Sequence, residues 1–576
     1  MKNRLKVIGR AGCGKTTYLI NNVMDLVKNR IYDLDKITIC TFRKSAAEDL
    51  INKMIEVYPY IPKEDLEKHI GTIHSQCYRL LITNEIIKPK KNSKEKSTDI
   101  MESKDYAGFI KEYKDYSYHI KLRNRDIDIR GMDFENMDGW QDGDLFDLYS
   151  WHRNTMTPPE KCYRYPNYKN LTLPPNSIPQ FFKDFKAYKK KIGKIDFSDM
   201  LQLVLLHQLM VGTPVLIVDE FQDLSPQMFA VFELWSNSIY TNEVVIAGDP
   251  HQSIYGFWGG SPNYLLDWEC NEKKVLEHSF RLPKHILLFG DKILTTAGMK
   301  PELITAKEGC GNCIFKIKHS DNYPGYKTEL HLVRTNRQIP ALALRLAKDG
   351  KVFVTTSKRS EGWDCDVGRE IDIANAIIAL KNELPLMGSM KLAIMNYFPD
   401  DMLNLQITKK AFEERMYIDH TIWNPSPEIT VILQSDNPTH KMKYTSELFI
   451  AKISGIKNRE NYINIHEAQC RKLYTIHAAK GAEAHGVFLH TYITKAISEA
   501  IRLPCEESRA EARVWYVGVT RAKTHLYLVQ DAGANYPYFP TIPSAPVEED
   551  LSKIWEDDAD ELEHPECKDF NSNSPN

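Results

Sequence analysis

LKVIGRAGCGKTT, residues 5–17, sets an apolar run, Leu5 to Ile8, directly before a loop that fits G-x-x-x-x-G-K-[ST] from Gly9 to Thr16. The next residues, Thr17 to Lys28, carry a helical pattern. Glycines 9, 12 and 14 let the backbone wrap an anion with successive N–H groups turned inward. The positive end of the following helix faces the same point. Lys15 can reach β- and γ-phosphates, and Thr16 offers a hydroxyl to Mg²⁺. The strand–loop–helix order separates this reading from its bland rival, a glycine-rich turn with a chance lysine. The loop as a whole (Gly9, Arg10, Ala11, Gly12, Cys13, Gly14, Lys15, Thr16 and Thr17) is expected to cradle a nucleoside triphosphate.

Outward from the loop, short apolar runs alternate with helical patterns. KITICTF (Lys36–Phe42) precedes a helical pattern over Ser45–Val57, and PVLIV (Pro214–Val218) and EVVIA (Glu243–Ala247) read as strands buried on both faces. Similar runs recur at 330–333, 473–476, 487–490 and 526–529. This alternation predicts an α/β protein built on doubly wound parallel sheets. PVLIV ends in Asp219-Glu220. An aspartate at the carboxyl end of a buried strand is placed to hold Mg²⁺ through its water shell, and Glu220 to polarise a water for attack on the γ-phosphate. The rival reading is an acidic surface turn. EVVIA leads to Gln252, whose amide can both donate to and accept from a phosphate. Arg281 and Arg521 are candidates to neutralise charge in the transition state, although either alone would more often be a surface ion pair.

The bulk properties limit the classes. At 576 residues the chain is sized for three or four domains. A net charge of −2 means that a nucleic-acid surface would have to be a local basic patch. No apolar run reaches the ~18 residues of a membrane span, and the N-terminal apolar stretch is too short for a signal peptide. Eleven scattered cysteines, one inside the loop, point to a reducing compartment. Cys310 and Cys313 have zinc-like spacing but no second pair, which favours a tight turn.

Ten ordered segments carry a resemblance: GRAGCGKTT, TFRKSAAEDL, GTIHSQC, DFSDML, VDEFQD, AGDPHQSIYGFWGG, LEHSFR, LVRTN, TIHAAKGAEAHGVFL and EARVWYVGVTRAK. Together they resemble the UvrD/Rep/PcrA group of superfamily 1 DNA helicases. The resemblance implies two RecA-like P-loop cores with ATP and Mg²⁺ between them, and mainly helical inserted domains. The implied division is 1–87 for the first part of core 1, 88–195 for a helical 1B-like insert, and 196–275 for the rest of core 1. Core 2 would begin over 276–340, be interrupted by a reduced 2B-like insertion over 341–470, and finish over 471–534. Residues 535–576 would be an acidic, disordered tail.

By the same resemblance Glu220 is the catalytic base, Gln252 the γ-phosphate sensor, and Arg281 and Arg521 the arginines supplied by the second core. Phe280 stacks on the nucleotide base, Glu483 contacts its sugar, and Thr16 with Asp219 holds the metal. Phe42, His74, Tyr255 and Phe257 fall at positions lining the single-strand channel, with Arg43 and Lys44 for backbone phosphate and Arg334 and His477 as further members. Aromatic faces suit such a track because they stack on any base. The expected partners are single-stranded and tailed duplex DNA, in the cytoplasm of a bacterial or phage-infected cell.

Three departures stand out. None of the eight residues before Gly9 is the glutamine that usually reads adenine. Trp258 replaces an expected arginine and would add a stacking surface. The 2B-like region is short. The resulting expectation is an ATP-driven helicase moving 3′ to 5′ in replication, repair or recombination. A translocase that strips proteins with little unwinding, and a nucleotide-switched DNA-binding module, are the alternatives. The acidic segment Val547–Glu566 reads as a solubilising end, as a peptide for a replication or repair partner anchored by Trp555 and Leu562, or as a self-inhibiting competitor of DNA.

Overall fold

The strand that opens the phosphate loop, β1 (Asn3–Gly9), lies inside a six-stranded, wholly parallel sheet of the computed structural model. The structure describes residues 2–88, 99–120, 144–166, 168–308, 314–318, 325–355, 362–363, 370–403, 423–443, 446–501 and 505–530. Cys310, Cys313 and the acidic tail with Trp555 and Leu562 lie outside the described residues.

The other strands of this sheet are β2 (Ile37–Thr41), β3 (Ile70–Thr72), β4 (Val215–Val218), β5 (Glu243–Gly248) and β6 (Glu272–Leu276), in the order β3-β2-β4-β5-β1-β6. Every residue of β2 and β4 is buried, as near-continuous apolar runs flanked by helices demand. The helix Lys15–Lys28 buries Leu19, Ile20, Val23, Met24 and Leu26 on the sheet. The helix Lys44–Val57 buries Ala47, Leu50, Ile51 and Met54, an i, i+3, i+4, i+7 stripe. β6 was not expected from its sequence. It is an edge strand whose first three residues, Glu272, Lys273 and Lys274, are exposed, so it lacks an apolar run.

Between β3 and β4 the described elements are helices, apart from a single bridge between Ile100 and Ile195. Aromatic rings fill their core: Phe109 meets Phe146, Phe181 and Phe185 edge-on at 5.3–5.8 Å. Lys189, 4% exposed, sits between the carboxylates of Asp196 and Asp199, 2.5 Å from each. Asp196 also caps the helix Phe197–Leu206, which packs against the helix Ile73–Thr83 of the first sheet's layer.

β7 (His278–Pro283) and β8 (Thr305–Lys307) pair with each other beside a second six-stranded parallel sheet. That sheet consists of β9 (Ile314–Lys318), β10 (Glu329–Val333), β11 (Val354–Thr355), β12 (Arg471–Thr475), β13 (Ala484–His490) and β14 (Ala522–Gln530), in the order β11-β12-β10-β13-β14-β9. β11 pairs with β12 in parallel, so the sheet draws an edge strand from inside the stretch 341–470. The remaining described elements there are helices, and their apolar faces join Leu473, Phe488 and Tyr527 of the sheet in one core. Two parallel sheets with helical excursions therefore make up the α/β architecture.

Candidate functional site at the junction of the two sheets

Four strands of the first sheet deliver their following residues to one edge. β1 leads to the phosphate loop, β2 to Arg43, β4 to Asp219 and Glu220, and β5 to Asp249 and Gln252. The carboxyl edge of such a sheet is where ligands bind. A cleft of about 370 Å³ opens there. One wall is residues 12–17 with Asp219, Glu220 and Gln252, and the other is Phe280, Arg281, Gly481, Glu483, Arg521 and Lys523. Gly12 has φ +74°, and a Cβ on it would stand 2.4 Å from the Cβ of Arg281, so only glycine lets the loop and β7 approach. The backbone N–H of Phe280 donates to the carbonyl of Gly12 at 2.9 Å, and its ring, 68% exposed, stands beside Gly14.

The charges in the cleft are tightly arranged. Lys15 Nζ donates to the carbonyl of Gly9 at 2.9 Å. Asp219 is buried, and burial together with the neighbouring Glu220 pushes its carboxyl up to about 6. Burial also works against ionised Glu220, but Lys480, Lys15, the amide of Gln222 and Arg43 outweigh it and hold that carboxyl at about 2. Glu220 has φ 51° and ψ 40°, a left-handed conformation that a non-glycine residue adopts at a cost. Gln222 Nε2 donates to Glu220 Oε2 at 2.6 Å and fixes its orientation. Thr16 and Asp219, a hydroxyl and a carboxylate, form a hard-oxygen pair of the kind Mg²⁺ takes together with substrate phosphates. A buried carboxyl that is costly to ionise alone fits a site completed by a cation.

The second sheet reaches across. Arg521, 1% exposed, donates from Nη2 to Gln252 Oε1 at 3.3 Å, while burial and the nearby Arg281 lower its guanidinium to about 9. Lys480 donates to the carbonyl of Gln252 at 2.6 Å and pairs with the buried carboxylate of Asp223. Arg281 and Lys523 each lie 2.6 Å from Glu483. Away from the cleft an aromatic seam joins the same two bodies. Phe42 lies 5.2 Å from Tyr255, Tyr255 lies 6.0 Å from Phe257 and 6.4 Å from His477, and Phe257 lies 5.8 Å from His477. The Tyr255 hydroxyl donates to the carbonyl of His477 at 3.4 Å.

Residues 1–272 match the UvrD/REP helicase N-terminal domain, and residues 429–532 match the UvrD-like helicase C-terminal domain. The chain belongs to the UvrD/Rep family of superfamily 1 helicases. Its relatives are distant. A Mycoplasma pneumoniae protein described as a probable DNA helicase II homolog is 22% identical over 91% of this chain and 81% of its own length. DNA helicase II of Haemophilus influenzae is 23% identical over 50% of this chain and 38% of its own. The ATP-dependent DNA helicase PcrA of Staphylococcus epidermidis is 22% identical over 53% and 40% respectively. The two parallel sheets accord with the RecA-like cores of UvrD helicases, a family of ATP-dependent, DNA-binding enzymes. Among the described residues no helix is long and apolar enough to cross a membrane.

Within this UvrD-like frame the structure gathers Gly12, Cys13, Gly14, Lys15, Thr16, Thr17, Asp219, Glu220, Gln252, Phe280, Arg281, Glu483 and Arg521 around one cleft. Arg10 belongs to the same loop by its backbone, but its side chain lies elsewhere. Its side chain, 1% exposed, turns away from the cleft to pair with Asp291, donate to the carbonyl of Glu302 at 3.0 Å and lie over Tyr516. Ala11 is buried behind the loop. Arg43, expected on DNA phosphate, lines the nucleotide cleft instead. His74 stacks on Phe197 at 4.0 Å, and complete burial lowers its imidazole to about 3, so it is a neutral core residue that offers no face to a base. Trp258 is buried, as are Phe42 and Tyr255 of the seam. Arg334 makes a bidentate pair with Glu511, both bonds 2.8 Å, and its charge is engaged there. Lys44 lies 3.6 Å from Glu48 on its own helix. Lys480 was missed, although its place in a glycine-bearing loop just after β12 was a readable signal.

Proposed function

We propose that this chain is an ATP-driven translocase on single-stranded DNA that separates duplex as it moves 3′ to 5′. One observation supports this above the rest: a phosphate loop and an ionised Glu220 at the edge of the first sheet face two arginines, Arg281 on β7 and Arg521 just before β14 of the second sheet. A nucleotide in such a cleft touches both bodies, so its hydrolysis can drive them apart. The aromatic seam between the same two bodies supplies the second half of a motor, a surface whose opening exposes ring faces to successive bases.

In this reading the loop amides and Lys15 bind the β- and γ-phosphates. Thr16 and Asp219 would hold Mg²⁺, which neutralises phosphate charge when bound. Glu220, oriented by Gln222, receives the proton of the attacking water as the bond between the γ-phosphorus and the bridging oxygen of ADP breaks. Arg521 moves with Gln252 onto the departing phosphate, and Arg281 leaves Glu483 to join it, which frees Glu483 Oε2 for the sugar while Oε1 keeps Lys523. Phe280 supplies the stacking face for the base. The substrates are DNA intermediates of replication, repair or recombination.

ATP turnover measured with no nucleic acid, single-stranded DNA, RNA and duplexes tailed on either strand tests this directly. The expected result is strong stimulation by single-stranded DNA and strand separation from a 3′ tail only. Stimulation without strand separation would instead give a protein-displacing translocase, and turnover indifferent to DNA would end the motor reading.

A further inference from the structure

Arg43 stands next to a residue of the aromatic seam yet faces the nucleotide cleft. β2 and β4 are parallel neighbours, with Cys40 opposite Val218, and the N–H of Asp219 donates to the carbonyl of Cys40 at 2.9 Å. Arg43 and Glu220 therefore leave the sheet side by side at its carboxyl edge. The arginine is 7% exposed and lines the cleft together with Glu220 and Arg521. Its charge favours ionised Glu220 and Asp223 and opposes that of Arg521. The opposite wall is shaped to it. Gly481 has φ +92°, and a Cβ there would stand 2.4 Å from Arg43 Nη2, so the second body's loop closes over the guanidinium where no side chain fits. One residue earlier, Phe42 turns its ring to Tyr255 in the seam.

We propose that Arg43 is a positioning residue for ATP hydrolysis: an arginine supplied by the first core, clamped beneath Gly481 when the cores close, and coupled through Phe42 to the nucleic-acid face. The proposal rests on the helicase reading above and adds to it the device by which DNA controls turnover. Arg281 and Arg521 then reach the triphosphate terminus from the second core, while Arg43 stands beside Glu220 in the first. Arg43 keeps the Glu220 carboxylate aimed at the attacking water. Because Phe42 and Arg43 are consecutive, a shift of the ring as a base stacks on the seam moves the guanidinium relative to Glu220. Nucleic-acid occupancy is thereby read as a hydrolysis rate.

The test uses the full chain, with wild type, Arg43→Ala, Arg43→Gln and Arg43→Lys compared in ATP hydrolysis with and without oligo-dT. Oligo-dT affinity is measured in parallel over a salt series. In Arg43→Ala the DNA-stimulated kcat is expected to fall about a hundredfold, the loss typical of misplacing a catalytic group by an ångström. KM for ATP, oligo-dT affinity and its salt slope stay at wild-type values. Arg43→Lys restores part of the rate, since it keeps the charge without the fork. Arg43→Gln, the closer isostere, carries the same expectation if the alanine variant does not fold. A stimulated kcat within about twofold of wild type in the neutral variants would overturn the proposal. So would weakened oligo-dT binding with a salt slope shallower by about one charge, which would put Arg43 on a DNA phosphate. If wild type itself ignores DNA, the helicase reading falls and this inference with it. If wild type is stimulated and the variants match it, this inference falls alone.

Discussion

Asp219 and Glu220 are consecutive carboxylates that burial and charge push in opposite directions. The raised Asp219 binds a proton more tightly in the folded chain than in the unfolded one. Its contribution therefore destabilises the nucleotide-free protein as pH rises through about 6, and is absent below the ordinary aspartate range. Asp219→Asn should accordingly stabilise the nucleotide-free protein at neutral pH, by on the order of 2 kcal/mol in urea unfolding, while abolishing turnover. Glu220 is depressed, so its stabilising contribution is present above about 4.3 and is lost as pH falls toward 2. Glu220, the proposed base, is thus ionised throughout the physiological range. Glu220→Gln should lower kcat by about 10²–10⁴ with nucleotide affinity retained, measured by steady-state hydrolysis beside fluorescent-nucleotide binding. His74 gives the opposite expectation. His74→Phe should leave single-strand affinity unchanged and alter stability by less than about 1.5 kcal/mol, because a neutral stacked ring is exchanged for another in the same pocket.

Among the elements, β1, β4 and β5 were legible because strands buried on both faces must be apolar throughout, and the loop after β1 is legible because a phosphate imposes its glycines. β6 was hidden by its exposed Glu272, Lys273 and Lys274, since an edge strand has only part of its surface to bury. The roles of consecutive residues were harder still. Phe42 and Arg43 follow one strand, yet one joins the seam and the other the cleft, and only the positions of β4 and Gly481 decide which goes where. His74 and Trp258 lie in motif register with a nucleic-acid track, but register does not report burial. Whether an aromatic ring has a neighbour such as Phe197 on its face depends on a helix more than a hundred residues away. Arg10 illustrates the same limit on the phosphate loop, where the motif does not reveal that this side chain ties the loop to the helix Lys284–Thr296 through Asp291. Arg10→Ala leaves that tie broken and a buried space behind. It should lower stability by about 3 kcal/mol, seen as a reduced urea midpoint, because one partner of a largely buried ion pair is removed.

Across the whole molecule, the two bodies share a buried apolar core, and they also meet at the nucleotide end of the cleft, at the aromatic seam and around Arg10. At the nucleotide end the two bodies touch through polar groups: Arg521 on Gln252, and Lys480 on Asp223 and the Gln252 carbonyl. At the seam they touch through aromatic faces and one long hydrogen bond. On the proposed reading, the contact of Arg521 with Gln252 gives way to phosphate oxygens and the ring contacts give way to bases, so both ends respond to occupancy. Removing Arg521 separates binding from motion. The phosphate loop, Thr16 and Asp219 all belong to the first core, so Arg521→Ala should still bind nucleotide with affinity within about tenfold of wild type. Its turnover should fall by about 10³ or more, the scale on which an arginine acts at a transferring phosphoryl group. Hydrogen exchange supplies the mechanical readout. In wild type, ATP with single-stranded DNA should slow exchange in β7 and in the loop 476–483 after β12, whereas in Arg521→Ala the phosphate loop should be protected and those second-core segments should not. Equal protection of both sets in the variant would mean that closure does not depend on Arg521, and the motor would have to be driven from the Arg281 side of the cleft.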